Sequence, residues 1–221
     1  MSQNEENYPK PSVTVDAIVF TIRAEQLQVA LIKRGIEPFL GCWAIPGGFV
    51  REEEALEDAV KRELQEEVGA SGVYLEQLYT FGAPNRDPRG RVITVAYFAL
   101  VAAENLRELT ASTDASEAQW FALSEVPTLA FDHREILDLA LNRLRAKLEY
   151  STIAYALLPP AFSLAQLQKV YEIILDRPLD KRNFRKKILS LELLEPTDQR
   201  SGGAHRPATL YVFKGNQVTF F

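Results

Sequence analysis

Cysteine is almost missing from this 221-residue sequence. Cys42 stands alone, which excludes an internal disulfide framework and any zinc site built from several thiolates. A reduced, cytoplasmic setting is expected. Met1 is the only methionine, so no adaptable methionine-rich surface is available for binding. No run approaches the roughly 18 apolar residues of a membrane-spanning helix, so no membrane contact is expected. The opening MSQNEENYPKPS has neither a basic region nor an apolar stretch, and a secretory signal is not expected. Neither sign of charge dominates: 25 basic against 30 acidic residues leave a net −5, which names no partner by itself. Apolar residues at 47% and charged residues at 25% argue against a largely disordered or collagen-like chain. At about 150 residues per domain, the length suggests a main domain and a small one.

The distribution of charge says more than its total. Up to Tyr150 there are 15 basic and 24 acidic residues, while Ser151 to Phe221 holds 10 basic and 6 acidic. Arg177, Lys181, Arg182, Arg185, Lys186 and Lys187 fall within eleven residues. An acidic body with a basic tail suggests two jobs, one of them polyanion binding; a solvated helix face is the plainer reading. Residues 1–150 read as the main domain, 151–160 with its double proline as a linker, and 161–221 as a second domain.

Residues 13–22 and 27–34 alternate and are rich in β-branched side chains, so both read as strands. Gly41, Pro46, Gly47 and Gly48 then break the pattern into a loop. Between Glu54 and Val68 the residues Leu56, Ala59, Val60, Leu64 and Val68 recur at helical spacing, with Gly69 as the stop. Further strands are expected over 73–81, 91–101 and, shorter, 119–123. Asp132 with Glu135 reads as an acidic capping box for a helix carrying Ile136, Leu137, Ala140, Leu144 and Leu148. Mixed strands with two helices imply an α/β sandwich ending near Lys147. In the second domain, Ser163 with Gln166 makes a capping box for a helix to Leu175. Asp180 caps another to about Ser190, and strands are expected over 191–195 and 209–213.

The strongest signal is GFVREEEALEDAVKRELQEEVGA, from Gly48 to Ala70. Glu63, Glu66 and Glu67 stand at i, i+3 and i+4, on one helical face. They occupy the last turns, where the helix dipole is negative, so three like charges should repel one another. A divalent cation would remove that conflict, and carboxylate oxygens suit Mg2+ or Mn2+. Such an ion commonly completes its coordination with waters and phosphate oxygens, which points to metal-assisted cleavage of a pyrophosphate.

The same segment resembles the Nudix hydrolase signature, with Gly48, Glu54, Arg62, Glu63, Leu64, Glu66, Glu67 and Gly69 on its positions. A chance match is on the order of 10⁻⁷ from residue usage. Ala70 is smaller than the usual aliphatic residue there. The resemblance implies a Nudix α/β/α sandwich with a mixed sheet, and Glu63, Glu66 and Glu67 as metal ligands. It also implies Arg62 orienting the glutamates, Gly48 bringing backbone to metal and phosphates, and a structural role for Glu54. No general base outside the box is identified.

Weaker features surround the box. In NRDPRGR, Arg86, Arg89 or Arg91 can reach a substrate phosphate, or the segment is only a hairpin turn. His133 reads as helix-start packing or an exposed histidine before a proton-transfer group. Trp43, Trp120 and Phe39 read as core before base-stacking.

On the helix from Lys181, the residues Arg182, Arg185 and Lys186 share one face, opposite Phe184, Ile188 and Leu191. Two helices followed by two strands, with Arg200 and Arg206 in the loop between them, resemble a winged helix-turn-helix. There the second helix enters the major groove and the wing touches phosphates. Dimerisation with a solvated basic face is the alternative. The segments YPKPSVTVDAIVF, GCWAIPGGFV, AFDHREIL, PLDKRNFRKKIL and HRPATLYVF resemble the Nudix-related transcriptional regulators of NAD metabolism, from Tyr8 to about Phe213. That resemblance implies a homodimer that recognises ADP-ribose and a double-stranded DNA operator. Many such proteins have eroded boxes, whereas every ionisable box position is intact here. The expectation is therefore Mg2+-dependent hydrolysis of ADP-ribose or a related nucleoside diphosphate derivative, to AMP and ribose 5-phosphate, coupled to regulated DNA binding. The rivals are a ligand-sensing repressor without catalysis and a housekeeping hydrolase whose C-terminal domain only dimerises.

Overall fold

A computed structural model describes residues 10–69, 73–106, 109, 115–200, 208–215 and 218–221. Strands β1 (Ser12–Arg23) and β2 (Gln26–Arg34) form a hairpin. Its two turn residues, Ala24 and Glu25, both have positive φ, at 48° and 59°, the backbone geometry that matches strand twist across a two-residue turn. Short strands β3 (Trp43–Ala44) and β4 (Gly47–Phe49) follow. Helix α1 (Leu56–Glu63) runs into a π-helical turn, Leu64–Val68, closed by Gly69 at φ 66°, where a left-handed backbone favours glycine. Next come β5 (Tyr74–Phe81), β6 (Val92–Leu100), β7 (Ala115–Ala122) and helix α2 (His133–Tyr150).

The sheet order is β3-β2-β1-β6-β5, with β4 added to β1 and β7 to β2. Only the β1–β6 pair among these is parallel, so the sheet is mixed. Alternation along β1 divides its side chains between two faces. Val15, Ala17 and Val19 meet Ala59, Val60 and Leu64 below α1. Ile18 and Phe20 meet Ile136, Leu144 and Leu148 of α2. Two apolar layers with helices outside make the α/β/α sandwich.

The second domain holds β8 (Phe162–Ser163), α3 (Leu164–Leu175), α4 (Lys181–Ser190), β9 (Leu194–Arg200) and β10 (Thr209–Phe213). The strands pair in the order β8-β10-β9. Ser163 and Gln166 form the full capping box, and the Asp180 side chain accepts the Asn183 N–H at 2.8 Å. Tyr171 and Phe184 pack edge to face at 5.2 Å between α3 and α4. This is a winged helix.

Several details depart from the sequence-based expectations. The helix expected over 54–68 starts later, at Leu56, and its last turn is π-helical. The short strand expected at 119–123 is longer and earlier, because Ala115–Ala122 pairs along β2. The strand expected at 191–195 begins at Leu194, after Glu192 turns the chain at φ 55°. No capping box forms at Asp132: its carboxylate is taken by Arg86, at 2.7 and 2.9 Å. Residues 151–160, expected as a linker, carry a 3-10 turn (Ile153–Leu157) with Ser151, Thr152, Ile153, Ala154, Leu157 and Leu158 buried. One apolar cluster runs from Phe20 and Leu144 through Ile153 to Phe162, Leu167 and Phe184. The domains are further joined by Arg145 Nε donating to the Ile174 carbonyl at 2.9 Å and by Lys169 against Glu25. Among the described residues no helix is long and apolar enough to cross a membrane.

Candidate functional site

A cavity of about 320 Å3 opens between the box helix, β4, the loop before β6 and the start of α2. Pairing of β4 with β1 (Val15↔Gly48) brings the Gly47–Gly48 backbone against the end of α1. At Gly48 a Cβ would overlap the Glu63 carboxylate, and at Gly47 it would overlap the Val15 carbonyl oxygen. Glycine is required at both for close approach. Glu63 and Glu67 are buried, and Glu67 Oε2 accepts the Gly47 N–H at 3.0 Å. Glu66 lies at the rim, its side chain 48% exposed.

Arg62 organises this cluster. Its Nε and Nη2 grip Glu54 at 2.8 and 2.9 Å, its Nη1 donates to Glu63 at 2.5 Å and lies 3.5 Å from Glu66. The Arg62 hydrogen bonds hold the Glu54 carboxyl down to about 2. Burial pushes the Glu63 carboxyl up, against the opposing pull of Arg62. A buried carboxylate with a raised proton affinity beside open cavity is a group that a cation would stabilise. All three glutamates line the cavity, yet among the described residues no three His, Cys, Asp or Glu side chains already converge as a metal cage. The donors are carboxylate oxygens, which suit a hard divalent cation, and the missing Cβ of Gly48 makes room for the Glu63 carboxylate itself.

The far wall is also charged. Arg86 and Arg89 line the cavity; Arg91 lies outside it, exposed, donating to the Gly82 carbonyl at 2.6 Å. Arg86 is buried and clamped on Asp132, with Asp16 3.7 Å away. Arg89 holds Asp87 through Nε and Nη2, at 3.0 and 2.6 Å. Burial raises the Asp87 carboxyl, but its hydrogen bonds and charge pairing with Arg89 outweigh that and leave it below the usual range. His133 is buried, and burial keeps it low and therefore neutral. Its Nδ1 accepts the Ile45 N–H at 2.9 Å, which leaves the ring proton on Nε2, toward Asp16 at 3.8 Å.

Asp16, Asp87, Arg34, Phe49 and Phe131 also line the cavity and were missed in the sequence. Asp16 had a signal, as the one charge inside an apolar strand. Trp43 packs on Phe121, and Phe39 packs on Phe131, both with ring centroids 4.7 Å apart.

On the other domain, Lys181, Arg182, Arg185 and Lys186 are exposed on α4 while Phe184 and Ile188 face the core. Arg200 ends β9, paired with Thr209. Arg206 lies outside the described residues.

Residues 12–140 match the family model of the NUDIX domain, and residues 154–213 match that of the NrtR DNA-binding winged helix domain. The ADPR responsive transcriptional repressor NtrR of Acinetobacter baylyi is 39% identical over 211 residues, covering 94% of this chain and 84% of that protein. The chain belongs to the NrtR family. The crystal structure of Shewanella oneidensis NrtR complexed with a 27mer DNA superposes with a TM-score of 0.81 at 39% identity, over 91% of this chain and 93% of that one. The NUDIX domain of that NrtR, in complex with ADP ribose, matches at 38% identity and a TM-score of 0.58, over 64% of this chain and 94% of that one. An ADP-ribose pyrophosphatase of Methanocaldococcus jannaschii is 42% identical over 130 residues, 59% of this chain and 73% of that protein. NrtR-type winged helices are thus joined here to a domain of the Nudix hydrolase fold, a class that generally works with divalent metal ions.

Proposed function

We propose that this chain is an ADP-ribose-responsive repressor that binds a double-stranded DNA operator as a homodimer and hydrolyses its own effector with Mg2+. The observation that carries the reading is the pairing, on one chain, of the Arg62-clamped glutamate cavity with the exposed basic face of α4. Names of relatives support it: one is an ADPR responsive repressor, another an ADP-ribose pyrophosphatase.

In this reading Glu63 and Glu67, with Glu66 at the rim, hold the cation. When bound, the cation supplies charge neutralisation at the diphosphate and a more acidic water. Arg62 fixes the Glu63 carboxylate, and the Gly47–Gly48 backbone lets the diphosphate approach. Water attacks one phosphorus, the bridging P–O bond breaks, and ADP-ribose with water gives AMP and ribose 5-phosphate. Lys181, Arg182, Arg185 and Lys186 meet DNA, with Arg200 and Arg206 adding phosphate contacts.

One observation favours a second reading, ligand sensing without turnover. The Arg62 guanidinium already satisfies Glu63, and no ready three-acid cage exists among the described residues. Two measurements separate the readings: AMP release with and without Mg2+, and DNA binding over time after a fixed dose of ADP-ribose. Hydrolysis predicts that wild type recovers its first DNA affinity as ligand is consumed, while Glu67→Gln stays switched. Sensing alone predicts a lasting switch in both. DNA binding indifferent to ADP-ribose in both proteins overturns the coupled function.

A further inference from the structure

The chain enters the second domain through Ser151 and Thr152, both buried, and after β10 it comes back to them. The Thr152 N–H donates to the Thr219 carbonyl, the Phe221 N–H to the Tyr150 carbonyl, and the Thr219 N–H to the Thr152 hydroxyl oxygen, each at 2.9 Å. Ser151 and Phe220 face each other as an isolated antiparallel bridge. The region matched as the winged helix ends at residue 213, so this contact lies beyond it. We propose that residues 218–221 are a strap that fixes the winged helix in one orientation on the end of α2. This rests on the ADP-ribose-responsive reading above and names a part that carries the response.

The two phenylalanines serve different domains, as successive residues of an extended segment face opposite sides. The Phe220 ring stacks on Tyr150 of α2, with centroids 6.1 Å apart and planes at 18°. The Lys147 ammonium lies 5.1 Å from the same ring centroid. Lys147 is itself buried and anchored on Glu76 of β5 at 2.6 Å. Phe221 borders a cavity of about 400 Å3 that it shares with Leu148 of α2 and with Tyr171, Phe184 and Ile188 of α3 and α4. One short segment therefore reaches β5 through Lys147, the end of α2 through Tyr150, and the packing of α3 on α4 through Phe221.

The other contacts between the domains hold them together without setting an angle. Burial in the shared apolar cluster is non-directional. The Lys169–Glu25 pair is solvent-exposed, with side chains 48% and 76% exposed, and such pairs contribute little. Arg145 gives one directional bond, to the Ile174 carbonyl, which still permits rotation about it. A single chain connection acts as a hinge, and a second attachment beside it, made of directional hydrogen bonds, removes the rotation. The other end of α2 meets the Nudix cavity, where His133 lines the wall and Asp132 is clamped by Arg86. A ligand engaging that wall displaces the start of an 18-residue helix, and the strap makes the winged helix follow its far end. Rigid packed elements of this kind carry coupling between distant sites.

The test compares the full chain with a variant lacking residues 218–221 and with Phe220→Ala and Phe220→Tyr, the last two at a side chain exposed enough to leave folding intact. Melting curves check each fold, and ADP-ribose is added without divalent metal so that it persists. The readout is the factor by which saturating ADP-ribose changes affinity for a DNA fragment recovered by genomic selection, roughly 5–150 in coupled proteins. Without the strap that factor should fall to within about two-fold of one, while affinity for ADP-ribose itself stays within about two-fold of wild type. Phe220→Ala should lower the factor part-way, and Phe220→Tyr, which keeps the ring, should retain it. Amide exchange over residues 151–158 should rise about ten-fold or more in the deletion, because the Thr152 N–H loses its acceptor. Equal factors in wild type and the deletion, or in Phe220→Ala and Phe220→Tyr, overturn the strap. Wild-type DNA binding indifferent to ADP-ribose overturns the responsive reading instead, and amide exchange then decides the strap: a rise supports it and no change overturns it.

Discussion

The Nudix cavity and the α4 surface are both built from charge, but they treat it in opposite ways. In the cavity three arginines are held by acids: Arg62 by Glu54 and Glu63, Arg86 by Asp132, Arg89 by Asp87. On α4, Arg182, Arg185 and Lys186 project into solvent while only Phe184 and Ile188 turn inward. Fixed, water-excluded charges suit a small ligand whose reacting atoms must be placed. Free, solvated charges suit a polyanion, where binding follows release of counterions and side chains adjust to the backbone. A perturbation of the cavity should therefore act through geometry and stability, and one on α4 through ionic strength.

Buried and exposed ion pairs on one helix give the largest contrast. Asp132 and Arg86 form a two-point pair with the Arg86 side chain 4% exposed. Removing Asp132 leaves buried Arg86 only the longer Asp16 contact, at 3.7 Å, so the cost should approach the roughly 3–5 kcal/mol of a broken buried pair. Asp132→Ala should lower the urea midpoint accordingly. Just beyond it, Arg134 and Asp138 pair with both side chains more than half exposed, so Asp138→Ala should cost about 0–1 kcal/mol. Equal costs for the two substitutions would erase the distinction drawn between the cavity and the surface.

Next in size is the effect on turnover. Glu63→Gln or Glu67→Gln should lower AMP release by at least ~10²-fold while leaving the fold intact, because each removes charge from the cation site. Chelation should do the same to wild type. Salt at levels that dissociate DNA should affect turnover far less, since Glu63 and Glu67 are buried. Full activity after chelation would remove the metal from the reaction.

The two regions were also unequally legible in the sequence. The sandwich followed from alternation in β1 and β2 and from helical spacing in α1, because one period maps onto one buried face. The box glutamates were legible because their i, i+3, i+4 spacing is local. What the sequence hid was long-range: Asp16, Phe49 and Phe131 meet only after β4 pairs with β1 and α2 crosses the sheet. Asp132 had the right spacing for a cap, yet Arg86, 46 positions earlier, takes its carboxylate. A local rule yields to a stronger buried ion pair that no local pattern records. The double proline near 159 suggested a linker, but the apolar residues just before it are buried in the shared cluster. On α4, by contrast, face assignment needs only helical periodicity, and Phe184 and Ile188 are buried where it puts them.

On the DNA side the effects should be smaller per residue and steeply salt-dependent. Arg185→Ala should weaken operator binding by roughly 1–3 kcal/mol and relax specificity at one base pair if Arg185 reads a guanine edge. If it contacts phosphate, the loss should be similar on all sequences and the salt slope should drop by about one. The first result places α4 in the groove and the second places Arg185 on the phosphate backbone. Selection from genomic fragments that recovers no preferred sequence at moderate salt would leave dimerisation as the role of this domain.

The smallest effect comes from a surface carboxylate that behaves like a cavity one. Glu172 of α3 accepts the Leu179 N–H and the Gln168 side-chain amide, each at 2.9 Å, and so ties the turn that sets α4 on α3. The backbone hydrogen bond from Leu179, then that from Gln168, hold its carboxyl below the usual range. A depressed folded-state value means the contribution is complete above the unfolded pKa, about 4.3. It is lost as pH falls through the lower, folded value. Solvent access keeps it modest, about 1 kcal/mol or less. Urea midpoints of wild type and Glu172→Gln should therefore differ slightly at pH 7, and the gap should close on the acid side of pH 4. Because other groups titrate equally in both proteins, their difference isolates this one. A gap that widens with acid would mean the carboxyl is bound in its protonated form, and that the turn is held by something other than a charge-assisted cap.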